Sequence, residues 1–188
     1  MTTHVFCIHC TLPQSFCICA SAPILTNQNA TILFHPRELE RRNSSGRLLK
    51  QLNLIEALTW HRLDTDLEQK LDQHVLLFPD DDLAGAKTPS TLSRPDQSIL
   101  ILDGTWQETQ KMLRQSSWLK ALPRYSLRQQ TSNYLLRRNQ KTHGLSTLEA
   151  LAYYLGEQGH TLDRQELLQF FSKFQVQYKQ LQNTGQLK

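Results

Sequence analysis

The sequence predicts an α/β fold: a mainly parallel sheet with helices on both faces. Two observations predict it. Three short apolar runs each stop at polar punctuation, as ILF-HPRE, LLF-PDDD and LILD-GTW. Around them lie segments whose apolar residues recur at helical spacing. In a parallel sheet the carboxyl ends of the strands share one edge, and ligands bind there. His35, Glu38, Asp80, Asp81, Asp82 and Asp103 therefore fall along one candidate crevice.

Taken in order, residues 1–26 carry the cysteines and a linker, and residues 27–188 form the main domain. Residues 31–35 read as a strand that Pro36 ends. Leu48, Leu49, Leu52, Ile55 and Leu58 fit one face of a helix over 46–58, followed by a short strand at 59–63. Val75 to Phe78 read as a strand, residues 85–95 as a loop, and residues 98–103 as the most buried strand. A helix over 105–116 precedes a short strand near 125–128. Helices follow at 146–157 and 163–182, the last with Leu167, Phe171, Phe174, Tyr178 and Leu181 at helical spacing.

The 188 residues are enough for one domain with a real core, and 39% hydrophobic with 20% charged is ordinary for a globular protein. No apolar run approaches a membrane span. The opening MTTHVFCIHC lacks the basic and apolar regions of a signal peptide, so the expected compartment is the cytoplasm. The net charge of +4 is mild, but it is clustered. Arg37, Arg41, Arg42, Arg47 and Lys50 form one group; Arg124, Arg128, Arg137, Arg138 and Lys141 form another, with Tyr125 and Tyr134 interleaved. Basic and aromatic side chains together suit a nucleic-acid backbone and unstacked bases, and also suit an ordinary solvated surface.

All four cysteines, Cys7, Cys10, Cys17 and Cys19, lie within CIHCTLPQSFCIC. A reducing compartment disfavours disulfides. Four thiolates complete the tetrahedral shell of a structural Zn²⁺, with no open position for catalysis. An iron–sulfur cluster takes the same four ligands, although so short and exposed a segment would shield it poorly.

Thr105-Trp-Gln-Glu108 and Ser146-Thr-Leu-Glu149 both match a helix capping box. Capping and ligand binding are compatible, since helix N-termini offer free N–H groups to anions. Neither common nucleotide-binding glycine motif is present.

Asp103-Gly-Thr-Trp106, the N-terminal cysteine pattern, HPRE at 35–38 followed by Asn43-Ser44, FPDDD at 78–82 and STLEA at 146–150 together resemble the DTW-domain family. They occur in the family's order and span nearly the whole chain; Ser44 stands where the family often has Thr. The resemblance implies a SPOUT-like fold with a C-terminal trefoil knot. It implies a tRNA-uridine aminocarboxypropyltransferase, moving the 3-amino-3-carboxypropyl group of S-adenosylmethionine to N3 of a uridine and releasing methylthioadenosine. Asp103 would be the general base. The donor would lie against Phe78, Pro79, Asp80, Leu102, Gly104, Thr105, Trp106, Ser146, Thr147 and Glu149, with Trp106 either stacking on a base or packing on the sheet. Arg37, Arg41, Arg42, Arg137, Arg138 and Lys141 would hold tRNA. No membrane or obligate protein partner is implied, and the chain would be a monomer or homodimer. A knotted RNA methyltransferase and a non-catalytic zinc-containing RNA-binding module are the competing readings.

Overall fold

Every residue of Ala30–Phe34 (β1) and of Ile99–Asp103 (β4) is buried, as expected for strands covered on both faces of a parallel sheet. These two runs pair with each other at the middle of the sheet. The computed structural model describes residues 5–79, 97–128, 131–136 and 144–187. Among them Glu56–Thr59 (β2), Val75–Leu77 (β3) and Arg124–Tyr125 (β5) complete a five-stranded sheet of order β2-β1-β4-β3-β5. Every pairing is parallel. The register sets Phe34 opposite Asp103 and Thr59, so the carboxyl ends of β1, β2 and β4 lie level.

The backbone divides into two compact units. The sheet unit comprises residues 28–41 and 55–129. Its helices are Thr65–Leu71 (α2), Trp106–Gln115 (α3) and Ser117–Ala121 (α4). Leu67 and Leu71 of α2, Met112 and Leu113 of α3 and Leu119 of α4 join Leu33, Leu76, Leu100 and Leu102 of the strands in one core cluster. Alternation along β4 puts Ile99, Ile101 and Asp103 on the opposite face from that cluster.

The helical unit comprises the described residues within 1–27, 42–54 and 130–188, with helices Ser45–Gln51 (α1), Thr147–Glu157 (α5) and Thr161–Asn183 (α6). Leu148, Leu151, Leu155, Leu167, Phe170, Phe171 and Phe174 are among its most buried apolar residues. Gly159, at φ +90, makes the turn between α5 and α6, with His160 N–H donating to the Leu155 carbonyl. The buried Asp163 carboxylate accepts from the N–H groups of Thr26 and Asn27 and from the Thr26 hydroxyl, fastening the linker to α6. Among the described residues no helix is long and apolar enough to cross a membrane.

Several elements differ from those expected. The helix expected over 46–58 stops at Gln51, and β2 runs over Glu56–Thr59 rather than 59–63. Asn53 is the reason: it sits at φ +53, its N–H donates to Lys50 and the next N–H to Leu49, which closes the helix in a left-handed cap. Apolar residues at 55 and 58 continue the helical spacing only by coincidence with the strand that follows. Two short helices, α2 and α4, were not anticipated; Asp64 caps the first by accepting from the N–H groups of Asp66 and Leu67. The strand expected near 125–128 is instead Arg124–Tyr125 (β5), which pairs with Leu76 and Leu77 of β3. The loop expected at 85–95 lies outside the described residues.

Candidate functional site

The strand ends of the sheet unit gather a buried polar cluster. His35 follows β1 and donates its backbone N–H to the Asp103 carbonyl at 2.8 Å, extending the central ladder by one residue. Its imidazole is buried and stacks on Trp60, which follows β2, with centroids 5.9 Å apart. The Trp60 indole N–H donates to Ser116 Oγ at 2.9 Å, which fixes that ring. The Arg37 N–H points to His35 Nδ1 at 3.4 Å, so the ring proton belongs on Nε2. Burial lowers the His35 pKa, with Lys111, Arg37 and Arg41 adding to it and Glu108 opposing. The 3.7 Å approach of Glu108 to Nδ1 is therefore a contact with a neutral imidazole, not an ion pair.

Glu108 is the centre of the cluster. Its Oε2 accepts from both the N–H and the hydroxyl of Thr105 at 2.8 Å, the completed capping box of α3. Arg41 reaches the same carboxylate at 3.4 Å and also pairs with the buried Glu38. Burial pushes the Glu108 carboxyl up, but the Thr105 N–H and hydroxyl bonds and the Arg41 guanidinium outweigh it, leaving it below the usual range. It is an anion at neutral pH.

Between His35 and Glu108 passes the Asp103-Gly104 turn. Asp103 is 6% exposed at the last position of β4. A Cβ on Gly104 would lie 3.1 Å from the Glu108 Cβ and 3.4 Å from the His35 Cβ, so the close approach of strand and helix needs glycine there. Trp106 begins α3 and is 40% exposed, with its ring stacked 5.4 Å from that of Phe78 at the end of β3. The guanidinium of the buried Arg124 lies 5.5 Å from the same Phe78 ring. Leu102 has its side chain in the core cluster, and Pro79 is exposed.

The helical unit holds a second polar arrangement. Ser146 caps α5, and the buried Glu149 accepts from the Ser146 N–H and hydroxyl, the Ser132 hydroxyl and the Asn133 N–H, all at 2.7–2.8 Å. Thr147 is buried beside it. Glu149 thus fastens residues 132–133 to the start of α5. Tyr134 donates its hydroxyl to the Asn43 carbonyl at 2.7 Å. Asp80, Asp81, Asp82, Arg137, Arg138 and Lys141 lie outside the described residues. Arg37 and Arg42 are exposed, and the Arg42 guanidinium lies 4.9 Å from the Phe6 ring.

The four cysteine sulfurs all lie within 4.8 Å of one another, and none is in a disulfide. Neighbouring sulfurs are 3.5, 3.6 and 3.8 Å apart. The edge of a tetrahedron with Zn–S bonds of about 2.3 Å is about 3.8 Å. The cluster therefore fits one four-coordinate ion and is too tight to span a multi-iron core. Burial opposes ionisation of Cys7, but the backbone N–H groups of Cys10 and His9 and the adjacent thiols outweigh it, bringing that thiol down to about 6. Burial pushes Cys10 and Cys19 up, and around Cys19 the sulfurs of Cys17, Cys7 and Cys10 add to it. Crowded thiols of this kind ionise together only around a cation.

Sequence reasoning placed Asp103, Thr105 and the cysteines at these positions and treated Glu108 only as a cap. It did not find the His35–Trp60 stack, the Arg41–Glu108 pair, the Phe78–Trp106 stack or the hold of Tyr134 on Asn43. For Glu108 the capping box was the available signal; the other pairings leave none in the local sequence.

A parallel α/β sheet with a buried polar cluster at its strand ends is the arrangement of a ligand-binding α/β domain. Residues 4–179 match the DTW domain, and the chain belongs to that family. It is 30% identical over 165 residues to tRNA-uridine aminocarboxypropyltransferase 2 of Drosophila melanogaster, covering 79% of this chain. It spans 64% of that relative's length. No solved structure matches it.

Proposed function

We propose that this protein is a tRNA-uridine aminocarboxypropyltransferase that uses S-adenosylmethionine. The observation that carries the reading is the position of Asp103. It ends the central strand β4, one residue from a glycine closely approached by Glu108 and His35 and two from Thr105, the N-cap of α3. The family match and the similarity to a tRNA-uridine aminocarboxypropyltransferase support this reading of the reaction.

Uridine N3 carries a proton and attacks poorly until it leaves. The Asp103 carboxylate takes that proton as the new N–C bond forms. S-Adenosylmethionine supplies a sulfonium leaving group: the C–S bond breaks, its electron pair goes to sulfur, and methylthioadenosine departs. The chain's part is chiefly to set N3 in line with the reacting carbon. Phe78, Pro79, Asp80, Leu102, Gly104, Thr105 and Trp106 are assigned to the donor, together with Ser146, Thr147 and Glu149. Trp106, exposed on the Phe78 ring, offers a stacking surface for a base. Arg37, Arg41, Arg42, Arg137, Arg138 and Lys141 are assigned to tRNA phosphates. Arg41 is already engaged with Glu38 and Glu108, so its part in tRNA binding would be through its exposed edge. Cys7, Cys10, Cys17 and Cys19 would hold a structural zinc ion. A SPOUT-like topology with a C-terminal knot belongs to the same reading.

The test is mass spectrometry of nucleosides from unmodified tRNA incubated with the protein and S-adenosylmethionine. The expected product is a uridine carrying the aminocarboxypropyl group, with methylthioadenosine released. Asp103→Asn is expected to slow its formation about 10²-fold or more. A methylated nucleoside with S-adenosylhomocysteine would overturn the transfer, and full activity in Asp103→Asn would overturn the base.

A further inference from the structure

The residues on either side of Cys10 grip the same stretch of chain. The His9 Nδ1–H donates to the Gln51 carbonyl at 2.8 Å, and the Thr11 hydroxyl donates to the Arg42 carbonyl at 3.1 Å. Those carbonyls stand at the two ends of the segment that carries α1. Phe6, beside Cys7, lies under the Arg42 guanidinium.

This segment needs outside support. α1 has seven residues, too few to persist by itself in water. The cap at Asn53 satisfies the carbonyls of Leu48, Leu49 and Lys50, which accept from Leu52, Leu54 and Asn53. The Gln51 carbonyl is the next orphan of the helix end, and His9 takes it. Thr11 in turn sits at φ +62, an unfavourable region for a β-branched residue. The turn around it, with Thr11 N–H on the Cys7 carbonyl and Cys7 N–H on the Leu12 carbonyl, holds it there. That turn is closed by the cysteine cluster.

The far side of the segment passes the order on. Asn43 receives the Tyr134 hydroxyl at 2.7 Å and donates to the Leu136 carbonyl at 3.5 Å. Ser45 Oγ accepts the Leu148 N–H at 3.4 Å at the start of α5.

We propose that metal binding at the four cysteines positions the Arg42–Leu54 segment through His9 and Thr11, and through Asn43 the 131–136 stretch. The metal would then serve the helical unit, not merely the N-terminal residues. His9 and Thr11 are positioning residues in this scheme. The inference stands on hydrogen bonding and is independent of the reaction proposed above.

Hydrogen exchange on the full chain under reducing conditions tests it, comparing zinc-loaded with chelator-treated protein. Chelation is expected to speed exchange about tenfold or more in residues 44–54 and 131–136, leaving β1 and β4 unchanged. His9→Ala with Thr11→Gly keeps every cysteine, and glycine suits the left-handed φ. That variant is expected to retain one zinc per chain yet show the same fast exchange. His9→Asn, whose amide N–H reaches the same carbonyl, is expected to restore slow exchange at the end of α1. Fast exchange confined to residues 5–22 after chelation, a zinc-loaded double variant with unchanged protection, or no rescue by His9→Asn would overturn the proposal.

Discussion

Removing the Glu108 side chain should cost more than a helix cap alone. The cap itself, Thr105 to the start of α3, is worth about 1 kcal/mol. Glu108 also accepts the Thr105 hydroxyl and N–H as a buried anion, and hydrogen bonds to a charged group contribute about 1.5 kcal/mol or more. Arg41 is 39% exposed, so its pairing adds about 0.5 kcal/mol at most. Glu108→Ala is thus expected to destabilise the protein by about 2–3 kcal/mol, and Thr105→Ala by about 1 kcal/mol. The two are not independent, because one hydroxyl and one carboxylate share a bond. Urea unfolding at pH 7.5 on the two single variants and the double variant should give a coupling energy of about 1 kcal/mol. Strict additivity, within about 0.3 kcal/mol, would show that the capping box does not hold the Asp103–Trp106 turn and would refute the reasoning.

Two further outcomes follow from this cluster and from a second group, in which the Thr31 hydroxyl meets Glu56 at 3.2 Å and His74 at 3.3 Å and Lys70 pairs with Glu56 at 2.6 Å. Gly104→Ala is expected to cost about 1–2 kcal/mol, because a new Cβ at 3.1 Å from the Glu108 Cβ and 3.4 Å from the His35 Cβ forces these buried neighbours to shift; equilibrium unfolding checks it, and unchanged stability would mean the turn is loose. Acidification should destabilise the metal-loaded protein in two steps. Burial holds His35 and His74 below the usual 6.5; Glu56, through its Lys70 bond, and Glu108, through Thr105 against burial, lie below the usual 4.5. In each case the unfolded chain binds protons more readily, so their stabilisation is present above those ordinary values and is lost as pH falls through the folded ones. The urea midpoint should begin to drop below about pH 6.5, His35→Asn should shrink that first step, and a midpoint that rises from pH 7 to 5 would contradict the assignment.

The sequence by itself determined the features that depend on neighbours within about four residues. Short apolar runs ended by proline or by an Asp-Gly turn read as buried strands of a parallel sheet, and β1, β3 and β4 lie where those runs are. The two capping boxes are complete because a Ser or Thr and a Glu three residues on suffice to form them. The cysteine cluster was legible from spacing, since four thiols within one short stretch come within reach of a single ion. Where two local signals competed, the reading failed: the helical spacing of Leu52, Ile55 and Leu58 hid the left-handed stop at Asn53. Tertiary structure alone decided the rest. It placed β4 beside β1, pairing residues 69 apart in the sequence such as Phe34 and Asp103, and so brought His35 to Asp103 and Arg41 to Glu108. It laid Trp106 on Phe78 and set His9 and Thr11 on the two ends of α1. Such contacts join residues whose separation along the chain carries no periodic signal, and only the packing of the sheet and helices brings them within hydrogen-bonding reach.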